Sequence, residues 1–295
     1  TTDYVGLFQI LYQDVYIGNV TLEGGSVQGR NYAGGLAGDL RDGKVINVRN
    51  FNQVKGNLAV GGIAGGMVGM GSHGVWMDNV YNGGAVGTLG VSDEVGGIVG
   101  RLFKGVIQSA ANVGSVNGKQ RVGGIVGIFS FGFESLENVY NAGVITGQSI
   151  VGGVVGGIPG AGRIENAYNA NRVYADSAYG TVVGQLDTPS DKTVQFRNLL
   201  WVDFHDGMQA IGENVNGANV VEQGFVGSVT AGEMKAASSF AVWKDSAGEA
   251  LVATDGGKET PWRIYDGQTM PLLTSLMQGT KRAGTKVYDG TPGTS

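Results

Sequence analysis

Val95-Gly96-Gly97-Ile98-Val99-Gly100 is one of a series of near copies that recur through the first two thirds of the chain. The other complete copies are Ala33-Gly34-Gly35-Leu36-Ala37-Gly38, Val60-Gly61-Gly62-Ile63-Ala64-Gly65, Val122-Gly123-Gly124-Ile125-Val126-Gly127 and Val151-Gly152-Gly153-Val154-Val155-Gly156. Two imperfect copies flank them, Tyr4-Val5-Gly6-Leu7-Phe8 and Tyr179-Gly180-Thr181-Val182-Val183-Gly184. Counted on the second glycine, or on Gly6 and Thr181 in the imperfect copies, the steps are nearly equal, with one longer step between Gly62 and Gly97. A regular period of about 28 residues indicates a repeat protein.

A second motif, which we call the Asn landmark, follows each glycine motif. Its forms are Asn47-Val48-Arg49-Asn50, Asn79-Val80-Tyr81-Asn82, Ser109-Ala110-Ala111-Asn112, Asn138-Val139-Tyr140-Asn141 and Asn166-Ala167-Tyr168-Asn169. The landmark begins at the same distance before the next second glycine, or Thr181, in four of five cases. The segment from a glycine motif to its landmark, which we call the variable arm, differs in length from unit to unit. Stacked coils confine insertions to one side in this way.

The apolar residues of each unit form short β-branched pieces between Gly and Asn breakers, which predicts strands rather than helices. Three short strands per unit of about 28 residues predict an all-β fold, a right-handed parallel β-helix over residues 1–200. At about 4.8 Å per rung, six or seven rungs give a rod of roughly 30 Å. We expect the Asn residues to take left-handed bends and to bond the equivalent Asn one rung away. The landmark valines should then point inward, and the following tyrosines outward.

The glycine pairs stop after Asn198, and a different composition begins. Residues 201–279 are predicted to form a small mixed α/β cap that covers the open end of the rod. Thr230-Ala231-Gly232-Glu233 fits a capping box, so one short helix should follow over Met234–Trp243. Two extended segments, joined by a turn at Asp266-Gly267, should complete the cap. Residues 280–295 read as a linker and the start of a further module.

Composition excludes several classes of function. The net charge of −5, with only 20 Lys and Arg, argues against a nucleic-acid partner. No apolar run has the length of a spanning helix, so we expect no membrane insertion. The absence of cysteine excludes thiolate metal sites and cysteine nucleophiles. The polar start Thr1-Thr2-Asp3 is neither a signal peptide nor an initiator methionine, so we expect a piece of a longer protein, monomeric by itself.

The combination of Val-Gly-Gly-Ile-Val-Gly with Asn-Val-Tyr-Asn-x-Gly-x-Val-x-Gly resembles the GLUG repeat. This repeat occurs in large secreted bacterial exoproteins of the filamentous haemagglutinin, two-partner secretion type. Lys286-Val287-Tyr288-Asp289-Gly290-Thr291 is similar to the start of the YDG module that often follows these repeats. The resemblance implies a non-catalytic adhesin, secreted or on the surface of a Gram-negative bacterium. It would use an outer-membrane secretion partner and act in cell attachment or biofilm formation.

GLUG repeats also occur in immunoglobulin A-cleaving metallopeptidases, whose zinc is held by a His-Glu-x-x-His helix. Here Gly74 follows His73 and Asp206 follows His205, so that motif is absent. We expect no metal and no cofactor.

Aromatic residues are the candidates for ligand binding, with a glycan, exopolysaccharide or surface protein as the partner. Loops on a rigid scaffold tend to carry recognition, which draws attention to the variable arm. Within it lie Trp76 and the alternating Phe129, Phe131 and Phe133, which can stack on sugar rings or instead cover or enter the core. Tyr81, Tyr140 and Tyr168 of the landmarks are either an exposed binding column or a stacking ladder that stiffens the rod.

Two alternatives to a binding segment remain open. Asp203-Phe204-His205-Asp206-Gly207 gathers two carboxylates and an imidazole, as a polysaccharide hydrolase or lyase requires. No acidic column is evident across the repeats, so a solvated turn explains this cluster as well. A purely structural spacer is the other alternative.

Overall fold

The computed structural model describes residues 2–70, 74–130, 133–204, 207–254 and 260–277. Within these ranges the chain is a parallel β-helix of about eight turns with rungs of about 28 residues, as the repeat predicts. The module start predicted at Lys286–Thr291 lies outside the described residues.

The three central rungs, residues 93–174, each contain four strand segments rather than the predicted three, and the equivalent segments of all rungs stack into four faces that we name A to D. Face A leads into the glycine pair, and face B follows it. Face C ends at the Asn landmark, and the short face D returns the chain to face A. The variable arm includes face B, the B–C corner and the start of face C.

The strand bounds follow the repeat. Face A consists of Asn31–Gly34, Leu58–Gly61, Asp93–Gly96, Gln120–Gly123, Ser149–Gly152 and Ser177–Gly180. Face B consists of Ala64–Val68, Val99–Phe103, Val126–Phe129, Val155–Ile158, Val183–Leu186 and Ile211–Asn214. Face C consists of Val75–Asn82, Gly105–Asn112, Phe133–Asn141, Ala161–Asn169, Thr193–Val202 and Asn219–Val229. Faces B and C are continuous in the first two rungs, as Phe8–Leu22 and Ala37–Asn50. Face D consists of Ser26–Gln28, Gln53–Lys55, Val116–Asn117, Ile145–Thr146 and Val173–Tyr174, with Val86 bridging in the third rung.

Parallel pairing continues past the rung boundary predicted near residue 200. Ile211–Asn214 pairs with Val183–Leu186, and Asn219–Val229 pairs with Thr193–Val202. This last rung carries neither a glycine pair nor an Asn landmark, so the motif pattern could not reveal it.

The second glycine of each pair leaves room for the last Asn of the landmark in the same rung. A Cβ on Gly97 would lie 2.1 Å from the carbonyl oxygen of Gly124 and 2.4 Å from Cγ of Asn112. Gly124 meets Asn141 in the same way, at 2.5 Å. The two motifs therefore recur together for a steric reason, because a side chain at the glycine would displace the buried amide.

These buried amides form an inner ladder along the rod. Each Nδ2 donates to the Oδ1 of the next rung at 2.8 or 2.9 Å, through Asn50, Asn82, Asn112, Asn141 and Asn169. Bonds along such a ladder satisfy polar groups that would otherwise be costly to bury.

An outer ladder is formed by the first residues of the landmarks. Their φ angles lie between 50° and 58°, which confirms the predicted left-handed bends. Here the later residue donates to the earlier one, so this ladder runs opposite to the inner one. The donor–acceptor pairs are Asn47–Asn19, Asn79–Asn47, Asn166–Asn138 and Asn198–Asn166.

Two apolar cores fill the rod. The larger lies between faces B and C and includes the inward landmark residues Val48, Val80, Val139 and Leu199, as predicted. The smaller joins faces A and D through residues such as Val60, Val95 and Val116. Full burial of one valine stabilises the fold by about 1.5–3 kcal/mol.

The C-terminal segment, described over residues 231–254 and 260–277, lies along the side of the rod, and the prediction that it covers the open end is wrong. Its apolar residues pack on the outward side of face C, against Tyr140, Tyr168 and Leu200. The packing residues are Met234, Phe240, Trp243, Leu251, Trp262, Ile264 and Leu273. The physical reason is that outward aromatic and aliphatic landmark residues form an apolar strip, which is stabilised when it is removed from water.

The single predicted helix is replaced by two 3₁₀ helices, Glu233–Lys235 and Ala237–Phe240, with a third at Thr274–Leu276. The predicted capping box is present, since the Thr230 amide donates to the Glu233 carboxylate at 2.8 Å and the Glu233 amide to Thr230 Oγ1 at 3.2 Å. Ala236 interrupts the helix because its backbone is extended. The predicted extended pair is present as Trp262–Arg263 antiparallel to Leu272–Leu273, and Val252–Ala253 is a third strand.

Candidate functional site

The three predicted landmark tyrosines are not an exposed binding column. Tyr140 is 8% exposed and Tyr168 is fully buried, while Tyr81 is half-buried. The rings of Tyr140 and Tyr168 stack with centroids 5.0 Å apart, as the ladder alternative predicts. The Trp262 ring of the C-terminal segment lies 5.7 Å from the Tyr168 ring, which removes these tyrosines from solvent. Binding through Tyr140 and Tyr168 is therefore excluded by packing.

Of the three alternating phenylalanines, the structure describes the side chain of Phe129 alone. Phe129 is fully buried in the main core, so the binding hypothesis is wrong for this residue. Its ring takes the space beside Gly162, where a Cβ would lie 2.8 Å from the ring. Phe131 and the side chain of Phe133 lie outside the described residues.

Trp76 lines a groove on the side of the rod. The groove has a volume of about 760 Å³, within the range of small-molecule sites, and follows the corner between faces B and C. We call it the lateral groove, and its lining residues are Asp14, Val15, Tyr16, Gly43, Lys44, Gly74, Val75, Trp76, Lys104, Gly105 and Val106. Trp76 is 38% exposed and Tyr16 is 64% exposed.

Four side chains that line the groove belong to one outward column. Strand pairing places Tyr16 opposite Lys44, Lys44 opposite Trp76, and Trp76 opposite Val106. These four residues therefore follow one another along the rod, about 4.8 Å apart. The inward neighbours Val45, Met77 and Ile107 are fully buried, which holds the column outward by strand alternation.

Backbone irregularity gives the corner its shape. Gly43 has φ 118°, and a Cβ there would lie 2.5 Å from the carbonyl oxygen of Val15. Gln13 and Asp14 both take left-handed φ angles, of 45° and 47°, within an irregularity that shifts the register before Val15. Bulges of this kind re-aim side chains next to binding sites.

A polar strip continues along face C beside the groove, two residues further along each strand. Pairing aligns Asp78 with Gln108, Gln108 with Glu137, and Glu137 with Glu165. The repeats thus contain a short acidic column that spacing in the sequence did not reveal. Burial, together with the neighbouring Glu165 carboxylate, raises the pKa of Glu137. Arg163 offsets part of this repulsion, with its guanidinium 3.7 Å from the Glu165 carboxylate.

A smaller pocket of about 310 Å³, lined in part by Glu94, Arg101 and Arg121, lies on face B and its corner with face A. The guanidinium of Arg101 in this pocket already has partners within the protein. Arg101 donates two hydrogen bonds of 2.7 Å to the Glu94 carboxylate and one of 3.1 Å to the Tyr32 hydroxyl. This saturation is typical of a structural ion pair, so the lateral groove is the stronger candidate.

The enzyme-like cluster of residues 203–207 is only partly described. Asp203 is exposed, and the Phe204 ring lies 4.7 Å from the Arg172 guanidinium. His205 and Asp206 lie outside the described residues.

Within the described ranges, no group of three or more His, Asp or Glu side chains is arranged to hold a metal ion.

In the part of the chain that the structure describes, no helix is long and apolar enough to span a bilayer.

Comparison of the chain with protein-family models, curated proteins and solved structures gives no match. The resemblance to GLUG repeats and to the YDG module therefore stays an expectation from the sequence.

Sequence reasoning missed Tyr16 and Lys44, although a signal for both was present. Each lies three residues before the first Asn of a landmark, as Trp76 lies three before Asn79. Asn19-Val20-Thr21 is the landmark of the first rung, which its pairing with Asn47 confirms. Aligning the chain on the landmarks would have placed the three side chains in one column.

Proposed function

We propose that this chain is a non-catalytic segment of a bacterial surface or secreted adhesin that binds glycan through the lateral groove. The observation that carries the proposal is the pair of exposed aromatic rings, Tyr16 and Trp76, in one column of a groove of about 760 Å³. Exposed aromatic faces stack on the apolar faces of sugar rings, and Lys44, Asp78 and Gln108 offer hydrogen-bonding partners for hydroxyl groups.

The scaffold supports this role. Ladders of strand and amide hydrogen bonds hold the backbone of the column in place, so little conformational entropy is lost when a ligand binds. The role in cell attachment or biofilm formation, the secretion partner and the Gram-negative surface follow from the GLUG resemblance, and a surface protein is the alternative ligand.

The test is binding of the labelled chain to a panel of bacterial exopolysaccharides and host glycans, with sugar release measured in the same wells. Trp76→Ala should weaken binding by about 30-fold, because loss of a central aromatic contact costs roughly 2 kcal/mol. Tyr179→Ala is the matched control, since Tyr179 is 42% exposed and lies on face A. Equal effects of the two substitutions would refute the groove as the site.

A second candidate function is polysaccharide cleavage, and the alignment of Glu137 with Glu165 favours it. Paired carboxylates, one of them with a raised pKa, can divide the roles of acid and base in glycoside hydrolysis. Release of sugar that disappears in Glu137→Gln would establish this function. A chain that neither binds nor releases sugar would be the spacer.

A further inference from the structure

Lys44 lies between the two aromatic residues of the lateral groove. The register places it directly opposite Tyr16 on one side and Trp76 on the other. Two rung steps separate the aromatic residues, so they are about 10 Å apart along the rod. A single small ring cannot cover both at this separation, whereas consecutive units of a polymer can.

The Lys44 ammonium is available to a ligand. Its side chain is exposed, and no carboxylate among the described residues lies within the 4.0 Å of an ion pair. Lys104 also lines the groove, and Asp14 is the only acidic residue among the lining residues that the structure describes. The described lining thus carries two cations and one anion, although the chain as a whole has a net charge of −5.

We propose that the lateral groove binds an extended acidic polysaccharide that runs parallel to the rod axis. A carboxylate or sulfate of one sugar pairs with the Lys44 ammonium, while flanking sugars stack on Tyr16 and Trp76. This assignment of the ligand class rests on the proposed glycan-binding function.

The rest of the column limits where the acidic group can lie. Beyond Trp76 the column continues to the half-buried Val106, which offers an apolar contact, and then to Ser135, whose buried hydroxyl accepts hydrogen bonds from Arg163. Asp78 lies two residues after Trp76 on the same face and would repel an acidic group placed there. Within this column Lys44 is therefore the position that we assign to the acidic group, and its attraction is short-ranged and weakens with added salt.

The test compares polymers that differ only in charge. Oligogalacturonate is compared with its methyl ester for the carboxylate, and dextran sulfate with dextran for the sulfate. Lys44→Gln should weaken binding of the acidic member by about 3- to 10-fold and that of the neutral member much less, because the glutamine amide keeps a hydrogen-bond donor and loses only the charge. Lys119→Gln is the control, because Lys119 is exposed and lies outside the groove.

The outcomes separate the ligand class from the proposed function. Equal binding of acidic and neutral members, both weakened by Trp76→Ala, would overturn the acidic ligand and keep a glycan-binding groove. Acidic binding that Lys44→Gln and Lys119→Gln weaken equally would assign the effect to overall charge and also overturn the proposal. Binding to no glycan at all would overturn both proposals.

Discussion

Tyr168 joins the rod to the C-terminal segment through its ring and its hydroxyl. The hydroxyl donates a 2.6 Å hydrogen bond to the carbonyl oxygen of Pro271, and the ring contacts those of Tyr140 and Trp262, with centroids 5.0 Å and 5.7 Å away. Burial raises the pKa of Tyr140 to about 12 and the pKa of Tyr168 well above its ordinary value. In both cases burial is the main cause, and a neighbouring tyrosine adds to it.

These pKa shifts predict loss of stability in alkaline solution. Between about pH 10 and pH 12 the folded protein keeps a proton on Tyr140 that the unfolded chain releases, so its free energy of unfolding falls as pH rises. Tyr140→Phe should remove about 2 kcal/mol of that loss near pH 12. Urea denaturation near pH 8 and near pH 12 measures the effect.

Near pH 8 the Tyr140→Phe protein should have the same free energy of unfolding as the parent, because the Tyr140 hydroxyl makes no hydrogen bond among the described residues. If the free energy of unfolding falls equally with rising pH in both proteins, Tyr140 is accessible to solvent and its pKa is not raised.

At the scale of the single rung, the glycine pair and the Asn landmark form one steric unit. The rungs at the two limits of the inner ladder illustrate this coupling. Thr181 stands where a second glycine would be, and the residue opposite Asn169 in that rung is Trp201. Leu22 pairs with Asn50 at the other limit, and in its rung Leu7 replaces the second glycine. Where no amide is buried, no glycine is needed.

The outer ladder is interrupted in one rung. Ser109 lies in register between Asn79 and Asn138, and its side chain is too short to reach them. The buried Oδ1 of Asn79 is left without a hydrogen bond as a result. Ser109 also has a φ of 53°, a conformation that Asn tolerates better than Ser.

Ser109→Asn should therefore stabilise the protein by about 1 kcal/mol, by giving Asn79 a donor and relieving backbone strain. The free energy of unfolding in urea measures this change. Ser109→Ala, which restores no hydrogen bond, is the control. If both variants are equally stable, the amide ladder contributes nothing at this position.

At the scale of the whole molecule, the repeating part was predictable, and so were the capping box and the extended pair of the C-terminal segment, but the position of that segment on the rod was not. Rungs could be predicted because each one repeats the same steric demand, at Gly97 as at Gly124. The position of the C-terminal segment depends on single contacts between distant residues, such as the 3.0 Å bond from Trp262 Nε1 to Asn138 Oδ1. Such contacts leave no period in the sequence. Of the predicted site residues whose side chains the structure describes, Trp76 alone lines the lateral groove, because outward aromatic residues can equally be covered by another segment of the chain.

The C-terminal segment should open separately from the rod when its contacts are weakened. Tyr168→Ala removes a fully buried ring, which should lower the free energy of unfolding by about 3–5 kcal/mol. We expect faster hydrogen exchange over residues 231–277, measured by mass spectrometry, with faces A and B still protected. Tyr168→Phe, which loses only the hydroxyl bond, should show a smaller effect. Loss of protection throughout the chain would mean that rod and segment unfold as one unit.

The C-terminal segment contacts rungs far apart along the rod. Arg49 of the second rung donates to the Leu276 carbonyl oxygen at 2.8 Å, and Asn198 of the seventh donates to that of Lys244 at 3.3 Å. A force that bends the rod away from this side would have to shear bonds in several rungs at once. We therefore expect a rod with one stiff side, which bends preferentially in a single plane under load.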